Sequence, residues 1–238
     1  MSDERTRIVL VGTTHPGNIG AAARAMRTMG LTELHLVEPA CDPHGDEALA
    51  QAARAEDVVR GARVHASLES ALSGAFLAFG LSARERTEAH PSLALRPAAE
   101  TAAAEPGEGV LAWVFGRERT GLTNAELDRC HYRVRIPADP GYSSLNLAQS
   151  VQLVAWELRM AAGAETAAEP EDPRAAIDTL EGLFGHLEEV AGEIGFLRRQ
   201  NPELTMRRLR NLLRRAQPTE SEARMLRGLL SHVQRPVR

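Results

Sequence analysis

The sequence predicts an α/β fold, in which a parallel β-sheet is covered by helices on both faces and a small all-α extension follows. Over 1–162, predicted strands alternate with helical patterns, and several of the strands are apolar throughout, which is typical of a parallel sheet covered on both faces. After an acidic linker at 163–174, only helical patterns occur over 175–238. The chain has 238 residues and is 43% hydrophobic, enough for a large domain with a smaller appendage.

The predicted strands are short segments rich in apolar residues. They lie at 7–12, 33–38, around Val64, and at 75–80, 110–115 and 132–136. The stretch 87–109 contains Pro91, Pro97 and Pro106. It is therefore predicted to be mostly loop, with one Ala-rich helix.

Capping residues indicate where the helices begin and end. A first helix is expected from Asn18 to Met29, closed by Gly30, and a second over much of 46–60. Ser67 is a good N-cap, and a long helix from about Leu145 to Ala162 is preceded by Ser143 and Ser144, either of which suits its N-cap. The remaining start signals are Thr123 with Glu126, Asn201 before Pro202, and Thr219 with Glu222. One further helix is expected over 175–195.

Charge is distributed unevenly along the chain. The net charge is −4, which argues against a simple polyanion binder. All 28 basic residues are Arg, a residue well suited to bidentate phosphate contacts. The segment 163–173, however, holds four acids and no base, whereas 198–215 holds seven Arg and one Glu, a net charge of +6. The basic segment is either a solvated helix face or a phosphate-binding surface.

The sequence carries no sign of a metal site, a membrane span or secretion. Cys41 and Cys130 stand in no CxxC or His-rich pattern, so no zinc site is expected. No apolar run approaches the roughly 18 residues of a membrane span, and no secretory signal is recognisable. We therefore expect a cytoplasmic protein with no metal and no membrane partner.

Polar turns follow three of the predicted strands, at 12–20, 115–122 and 141–147. Ligands bind at the carboxyl ends of strands in open parallel sheets, so these turns are the candidate site. Each also has a purely structural interpretation. Asn18 could be only a helix cap, Arg24 a solvated side chain, and Glu118 a local ion pair with its neighbouring arginines.

The turns exclude three common enzyme classes. Gly12 and Gly17 have the spacing of a phosphate loop, but Asn18 and Ile19 stand where Lys and Ser or Thr are needed, so an NTPase is excluded. The same glycines do not fit the dinucleotide fingerprint. The serines at 143 and 144 lack the G-x-S-x-G elbow of the α/β-hydrolases.

Taken together, the segments resemble the TrmJ branch of the SPOUT RNA methyltransferases. The resemblance covers most of the chain, and the order and spacing of its segments are specific. The segments are RIVLVGTTHPGNIGAAARAMRTMGL, GLSARERT, FGRERTGLTNAELDRCHYRVRIPADPGYSSLNLAQSVQLVAWELR and GHLEEV, followed by the Arg-rich C-terminal helices.

This resemblance implies that the C-terminal part of the sheet is threaded into a trefoil knot, which no argument from composition would suggest. It also implies a homodimer in which each active site is completed by the other subunit. The implied cofactor is S-adenosylmethionine, held by the knot loops. Carried over by position, its binding residues are Leu81, Ser82, Ala83, Gly116, Arg117, Ile136, Ser143, Ser144 and Leu145.

The reaction implied by the family is methylation of the ribose 2′-hydroxyl of tRNA nucleotide 32, at the start of the anticodon loop. The matching catalytic residues are Asn18, Arg24, Glu118, Ser144 and Asn146. We expect Arg24 to orient the ribose and a phosphate, because a guanidinium is always protonated and is a poor base.

The basic extension is predicted to bind the rest of the tRNA, through Arg207, Arg208, Arg214 and Arg215. Two alternatives stay open. One is a SPOUT enzyme that acts on ribosomal RNA or on another tRNA position. The other is a non-catalytic RNA-binding protein with the same fold.

Overall fold

The computed structural model describes residues 5–83, 91–107, 109–163, 172–199 and 201–234. The chain divides into two compact units, Met1–Ala168 and Glu169–Arg238. Each unit has its own hydrophobic core. None of the helices in the described ranges is both long and apolar enough to cross a membrane.

The first unit is built on a seven-stranded sheet with the strand order β3-β2-β1-β6-β4-β7-β5, and all of its neighbouring strands pair in parallel. The predicted α/β class is confirmed. The strands are β1 (Thr6–Val11), β2 (Glu33–Val37), β3 (Arg63–His65), β4 (Ala75–Leu81), β5 (Ser92–Ala94), β6 (Val110–Phe115) and β7 (Tyr132–Arg135). The helices are α1 (Pro16–Thr28), α2 (Asp46–Ala52), α3 (Glu56–Arg60), α4 (Leu68–Leu72), α5 (Leu95–Ala104), α6 (Asn124–Leu127) and α7 (Leu147–Ala161).

Two elements differ from the prediction. The three-residue strand β5 lies in a segment predicted as loop and helix, and it pairs with the edge of β7. The single helix expected over much of 46–60 is instead two short helices, α2 and α3. Ala53 and Arg54 interrupt it, because their φ angles of 40° and 77° are left-handed and cannot continue an α-helix.

Helix α1 begins earlier than predicted and lies very close to α2. Pro16 occupies its first turn and His15 its N-cap, so Asn18 is inside the helix and is not its cap. Gly20 is buried against α2, and a Cβ atom there would lie 2.0 Å from the carbonyl oxygen of Ala48. Only glycine allows the two helix backbones to approach this closely.

The core of the first unit fixes the edge of the sheet on which the site is built. The central strands β1, β4 and β6 are almost entirely buried, and Phe79 of β4 stacks on Trp113 of β6 with ring centroids 4.4 Å apart. Burial of each such side chain is worth about 1.5–3 kcal/mol. Since β4, β6 and β7 are parallel neighbours, their carboxyl ends meet at one edge.

The second unit is helical, as predicted for the extension. It contains α8 (Ile177–Glu193), a 3₁₀ turn (Phe196–Arg199), α9 (Pro202–Ala216) and α10 (Glu220–Val233). The predicted caps are confirmed: Asn201 accepts a hydrogen bond from the backbone of Leu204, and Thr219 forms a capping box with Glu222. The core of the unit is a small apolar cluster around Phe184.

Candidate active site

A cavity of about 460 Å³ is lined by residues at the carboxyl ends of β4, β6 and β7 and by the loop before α7. The nine residues that the resemblance assigns to the cofactor all line it. They are brought together from four separate segments of the chain, at 81–83, 116–117, 136 and 143–145.

The loop after β6 forms one continuous wall of the cavity. All of its residues from Gly116 to Leu122 line the cavity. The loop turns back on itself, because the backbone N–H of Gly121 donates to the carbonyl oxygen of Arg117 at 2.8 Å. At the crossing point, a Cβ atom on Gly116 would lie 2.2 Å from the backbone of Gly121 and Leu122. Glycine at position 116 is therefore required for this closed loop.

Glu118 connects this loop to the first polar turn. Its carboxylate accepts hydrogen bonds from the Thr14 N–H (3.2 Å) and hydroxyl (3.1 Å), from the His15 N–H (3.3 Å) and from the Asn18 amide (2.9 Å). Burial raises the pKa of Glu118, but the hydrogen bonds from Asn18 and Thr14 outweigh burial and hold the pKa below its usual value of 4.5. Glu118 is thus an ionised acceptor that fixes the first turn.

The interpretation of Glu118 as a local ion pair with its neighbours is wrong for Arg117. That guanidinium instead binds the carboxylate of Glu126, at 3.0 and 3.1 Å. Glu126 also belongs to the predicted capping box of α6, which is confirmed. The side chain of Arg117 lies directly over Gly12, so a Cβ atom on Gly12 would be 2.7 Å from its Nε atom.

The third turn joins the same network through Asn146. The Asn146 side-chain N–H donates to the side-chain oxygen Oδ1 of Asn18 at 3.1 Å, and the side-chain oxygen Oδ1 of Asn146 accepts from the backbone N–H of Ala148 at 2.8 Å. Asn146 is therefore the N-cap of α7, and the expectation that Ser143 or Ser144 caps this helix is wrong. Because the Asn146 side chain caps the helix, neither serine is needed for this role, and Ser143 and Ser144 both line the cavity.

Arg24 is the one predicted catalytic residue that the structure does not connect to this network. Its side chain is exposed on α1, does not line the cavity, and forms no hydrogen bond or ion pair with the other residues that the structure describes. Asn18, Glu118, Ser144 and Asn146, in contrast, either line the cavity or are hydrogen bonded to residues that do.

Sequence reasoning missed several residues of the site. Arg119, Thr120 and Ser150 also line the cavity, and Thr14 anchors Glu118. Ser150 could have been found from helical spacing, because it lies four residues after the cap Asn146. Its hydroxyl donates to the backbone carbonyl oxygen of Asn146 at 3.1 Å.

Two family models match the chain. Residues 5–156 match the SpoU rRNA Methylase family, and residues 178–238 match the C-terminal domain of the tRNA methyltransferase TrmJ. A tRNA (cytidine/uridine-2′-O-)-methyltransferase TrmJ from Citrobacter koseri is 47% identical over 236 residues, which cover 97% of each chain. The chain belongs to the TrmJ family. The resemblance inferred from the sequence and the prediction of a methyltransferase are thereby confirmed.

Solved structures agree with this assignment. TrmJ from Z. mobilis ZM4 has a TM-score of 0.85 and 32% identity, with 97% of this chain and 99% of that chain covered. The SpoU methyltransferase AviRb from Streptomyces viridochromogenes, solved in complex with the cofactor AdoMet, has a TM-score of 0.52 and 19% identity, with 67% of this chain and 58% of that chain covered. At that identity the likeness shows the fold alone.

The TrmJ C-terminal domain places its arginines in two different environments. Arg214 is buried, contacts the ring of Phe184, and donates to Glu181 at 2.8 Å, so its prediction as a phosphate ligand on the surface is contradicted. Arg210 likewise pairs with Glu181 and Glu188. The predicted tRNA-binding residues Arg208 and Arg215 are exposed, and Arg207 is half-buried.

Proposed function

We propose that this TrmJ-family protein uses S-adenosylmethionine to methylate the 2′-hydroxyl of the nucleotide at tRNA position 32. One observation carries the proposal. The nine residues assigned to the cofactor line a single cavity, and at its rim Glu118, Asn18 and Asn146 form a continuous hydrogen-bonded chain. The name of the relative from Citrobacter koseri, a tRNA (cytidine/uridine-2′-O-)-methyltransferase, supports the choice of substrate.

The cavity suits the cofactor in size and in chemistry. Its volume of about 460 Å³ is in the range of small-molecule sites, which are mostly apolar with a few convergent polar groups. Leu81, Ile136 and Leu145 offer apolar surface for the adenine ring, while the hydroxyls of Ser82 and Ser144 suit the polar end. When bound, S-adenosylmethionine supplies an electrophilic methyl group.

The residues around the cavity have to align the ribose oxygen and manage its proton. Alignment alone can lower the barrier by several kcal/mol. The oxygens of Glu118 are already occupied by donors from Thr14, His15 and Asn18, and its pKa is below the usual value. Glu118 therefore positions the first turn and is not the base that removes the ribose proton.

Arg24 orients the ribose and an adjacent phosphate in this proposal, since a guanidinium binds phosphate in a bidentate manner. Because Arg24 does not line the cavity of its own chain, it acts at the site of the second subunit. Ser144 and Asn146 shape the space beside the transferred methyl group.

A homodimer is part of the proposal. Helix α7 exposes an apolar face formed by Leu153, Trp156 and Met160, which are 38%, 45% and 50% exposed and lie at helical spacing. Apolar patches of this kind mark protein interfaces. A second copy covering this face would lie beside α1, which packs on α7 and carries Arg24.

The TrmJ C-terminal domain is proposed to bind the tRNA backbone. Arg208 and Arg215 lie exposed on α9, with Arg207 beside them, and arginine suits bidentate contacts with phosphates. Arg214 is left out of this surface because it is buried against Glu181.

The test is to locate the methylated atom. Unmodified tRNA transcripts are incubated with the protein and S-adenosylmethionine carrying a labelled methyl group, digested, and analysed by mass spectrometry. Label is expected in one 2′-O-methylated pyrimidine, in the fragment that contains nucleotide 32. The matched control is the same transcript with a 2′-deoxynucleotide at that position, which should stay unlabelled. Label at another nucleotide, or equal label in the control, overturns the proposal.

A second candidate function is methylation of ribosomal RNA, favoured by the family model that matches residues 5–156. The same assay with ribosomal RNA separates the two. Label in ribosomal RNA together with unlabelled tRNA would favour this candidate.

A further inference from the structure

Tyr142 stands beside the cavity with its ring in solvent. It is 81% exposed, the highest value among the exposed large apolar side chains of the described residues, and the next three residues line the cavity. The other tyrosine of the chain, Tyr132, stacks on Phe79 with centroids 5.3 Å apart. Packing therefore explains the ring of Tyr132 and leaves that of Tyr142 unexplained.

The backbone that carries Tyr142 is held in place on both sides. The N–H of Tyr142 donates to the carbonyl oxygen of Asp139 at 3.0 Å, and the side chain of Asp139 accepts from Gly141 at 2.8 Å. Pro140 between them has a fixed φ angle. On the other side, Asn146 caps α7 and binds Asn18. The ring is thus presented from a fixed turn, and only its two side-chain torsions have to be ordered on binding.

A nucleobase is the ligand that fits an exposed, pre-positioned aromatic ring at this site. Proteins recognise single-stranded RNA loops largely by stacking unpaired bases on aromatic side chains. Arg119, which is exposed and lines the same cavity, offers a cation for the phosphate that accompanies such a base. This reasoning rests on the proposed function, in which a nucleotide of the anticodon loop brings its ribose to the cavity.

We propose that Tyr142 is the stacking platform for the nucleobase of the nucleotide that is methylated. The contact holds the base outside the cavity while the 2′-hydroxyl reaches the rim formed by Glu118, Asn18 and Asn146. Since every base has a π-face, stacking tolerates different bases. Tyr142 therefore fixes the position of the nucleotide without distinguishing cytidine from uridine.

The first test compares tRNA affinity and methylation for Tyr142→Ala and Tyr142→Phe. Loss of the ring should weaken tRNA binding by about 5- to 150-fold, the range measured for one base on one aromatic side chain. Tyr142→Phe keeps the ring and should retain most of the affinity. Calorimetry with S-adenosylmethionine on RNA-free protein should be unchanged. Val64→Ala, which truncates a 54% exposed apolar side chain on the edge strand β3, is the control for unspecific effects.

The second test identifies the partner of the ring by a double-mutant cycle. The tRNA is made with an abasic ribose at the target nucleotide, so that the hydroxyl remains and the base is removed. Wild-type protein should lose about as much affinity for this RNA as Tyr142→Ala loses for normal tRNA, and the two losses should not add. If the variant weakens binding to abasic and normal tRNA equally, Tyr142 does not stack on this base and the inference is wrong.

Two further outcomes are distinguishable. If Tyr142→Ala converts a dimer into a monomer in sedimentation, the ring is a subunit contact and the inference is overturned. If wild-type protein leaves all tRNA unlabelled, the proposed function itself has failed, whatever Tyr142 does.

Discussion

Replacing Gly116 by alanine tests whether the folded-back loop after β6 builds the cofactor site. The added Cβ atom would lie 2.2 Å from backbone atoms of Gly121 and Leu122, whereas Cβ contacts under 3.0 Å essentially never occur. The obstructing atoms are backbone and cannot rotate away. The crossing must therefore open by about 0.8 Å, the difference between these two distances.

An opening of this size should displace the whole cavity wall that this loop forms, because every residue from 116 to 122 lines the cavity. A misplacement of about 1 Å can cost roughly 100-fold in rate. We expect Gly116→Ala to weaken S-adenosylmethionine binding by roughly 10- to 100-fold, or about 1.4–2.8 kcal/mol. Calorimetry on RNA-free protein measures this loss, and thermal unfolding in parallel establishes that the variant is folded.

Gly121→Ala is the matched control in the same loop. Nothing lies within 4 Å of its added Cβ atom, although its φ angle of +67° imposes strain of about 1–2 kcal/mol. It should lower the melting temperature with a smaller loss of cofactor affinity. The reasoning is refuted if folded Gly116→Ala binds the cofactor as tightly as wild type, or no more weakly than Gly121→Ala does.

Three other predictions follow from the same geometry. Arg24→Ala should nearly abolish methylation with the fold and cofactor affinity retained, since Arg24 is exposed and outside the cavity; turnover within a few-fold of wild type would contradict its role. Glu118→Gln should be less stable than wild type near pH 7, because the folded pKa of Glu118 lies below 4.5, so its stabilisation is complete above about pH 4.5 and is lost as the pH falls through the folded pKa. In melting curves from pH 7 to 3 the difference should close at acidic pH, and a widening difference would count against it. A truncation after Ala162 should fold, dimerise and bind cofactor, but it should lose most tRNA affinity, and its tRNA binding should depend less steeply on salt. Equal salt slopes for the truncated and full-length chains would mean that the basic segment is only a solvated helix face.

Most of the sheet could be predicted because its signals are local. A buried parallel strand such as β6 is apolar along its whole length, and β1 is apolar from Ile8 to Val11, so these runs are visible without any knowledge of the neighbouring strands. The helix starts at Ser67 and Thr123 could also be predicted, because each capping side chain accepts a hydrogen bond from a backbone N–H only three residues later.

Some features were missed because the deciding partner is distant in sequence. Strand β5 has only three residues and is defined by pairing with β7, about 40 residues later. The cap of α7 was misassigned although Asn146 and Gln149 form a local capping box. Only the hydrogen bond from the Asn146 amide to Asn18, which is 128 residues away, depends on a distant partner. The structure brings the three turns together, but the hydrogen bonds by which Glu118, Asn18 and Asn146 join them could not be predicted from any one segment.

The basic segment shows most clearly why charge counted along a sequence is not charge available to a ligand. Residues 198–215 carry a formal charge of +6, yet Arg210 and Arg214 are paired with Glu181, which lies on α8 and outside that segment. Each phosphate contact contributes roughly 0.7–0.9 to the slope of log affinity against log salt. Removing two arginines from the surface therefore lowers the expected slope by about 1.4–1.8. On this reasoning Arg208→Ala should flatten the salt dependence of tRNA binding without changing stability, because Arg208 is exposed. Arg214→Ala should instead destabilise the C-terminal unit, because it leaves Glu181 without its shortest ion pair and Phe184 without a packing partner.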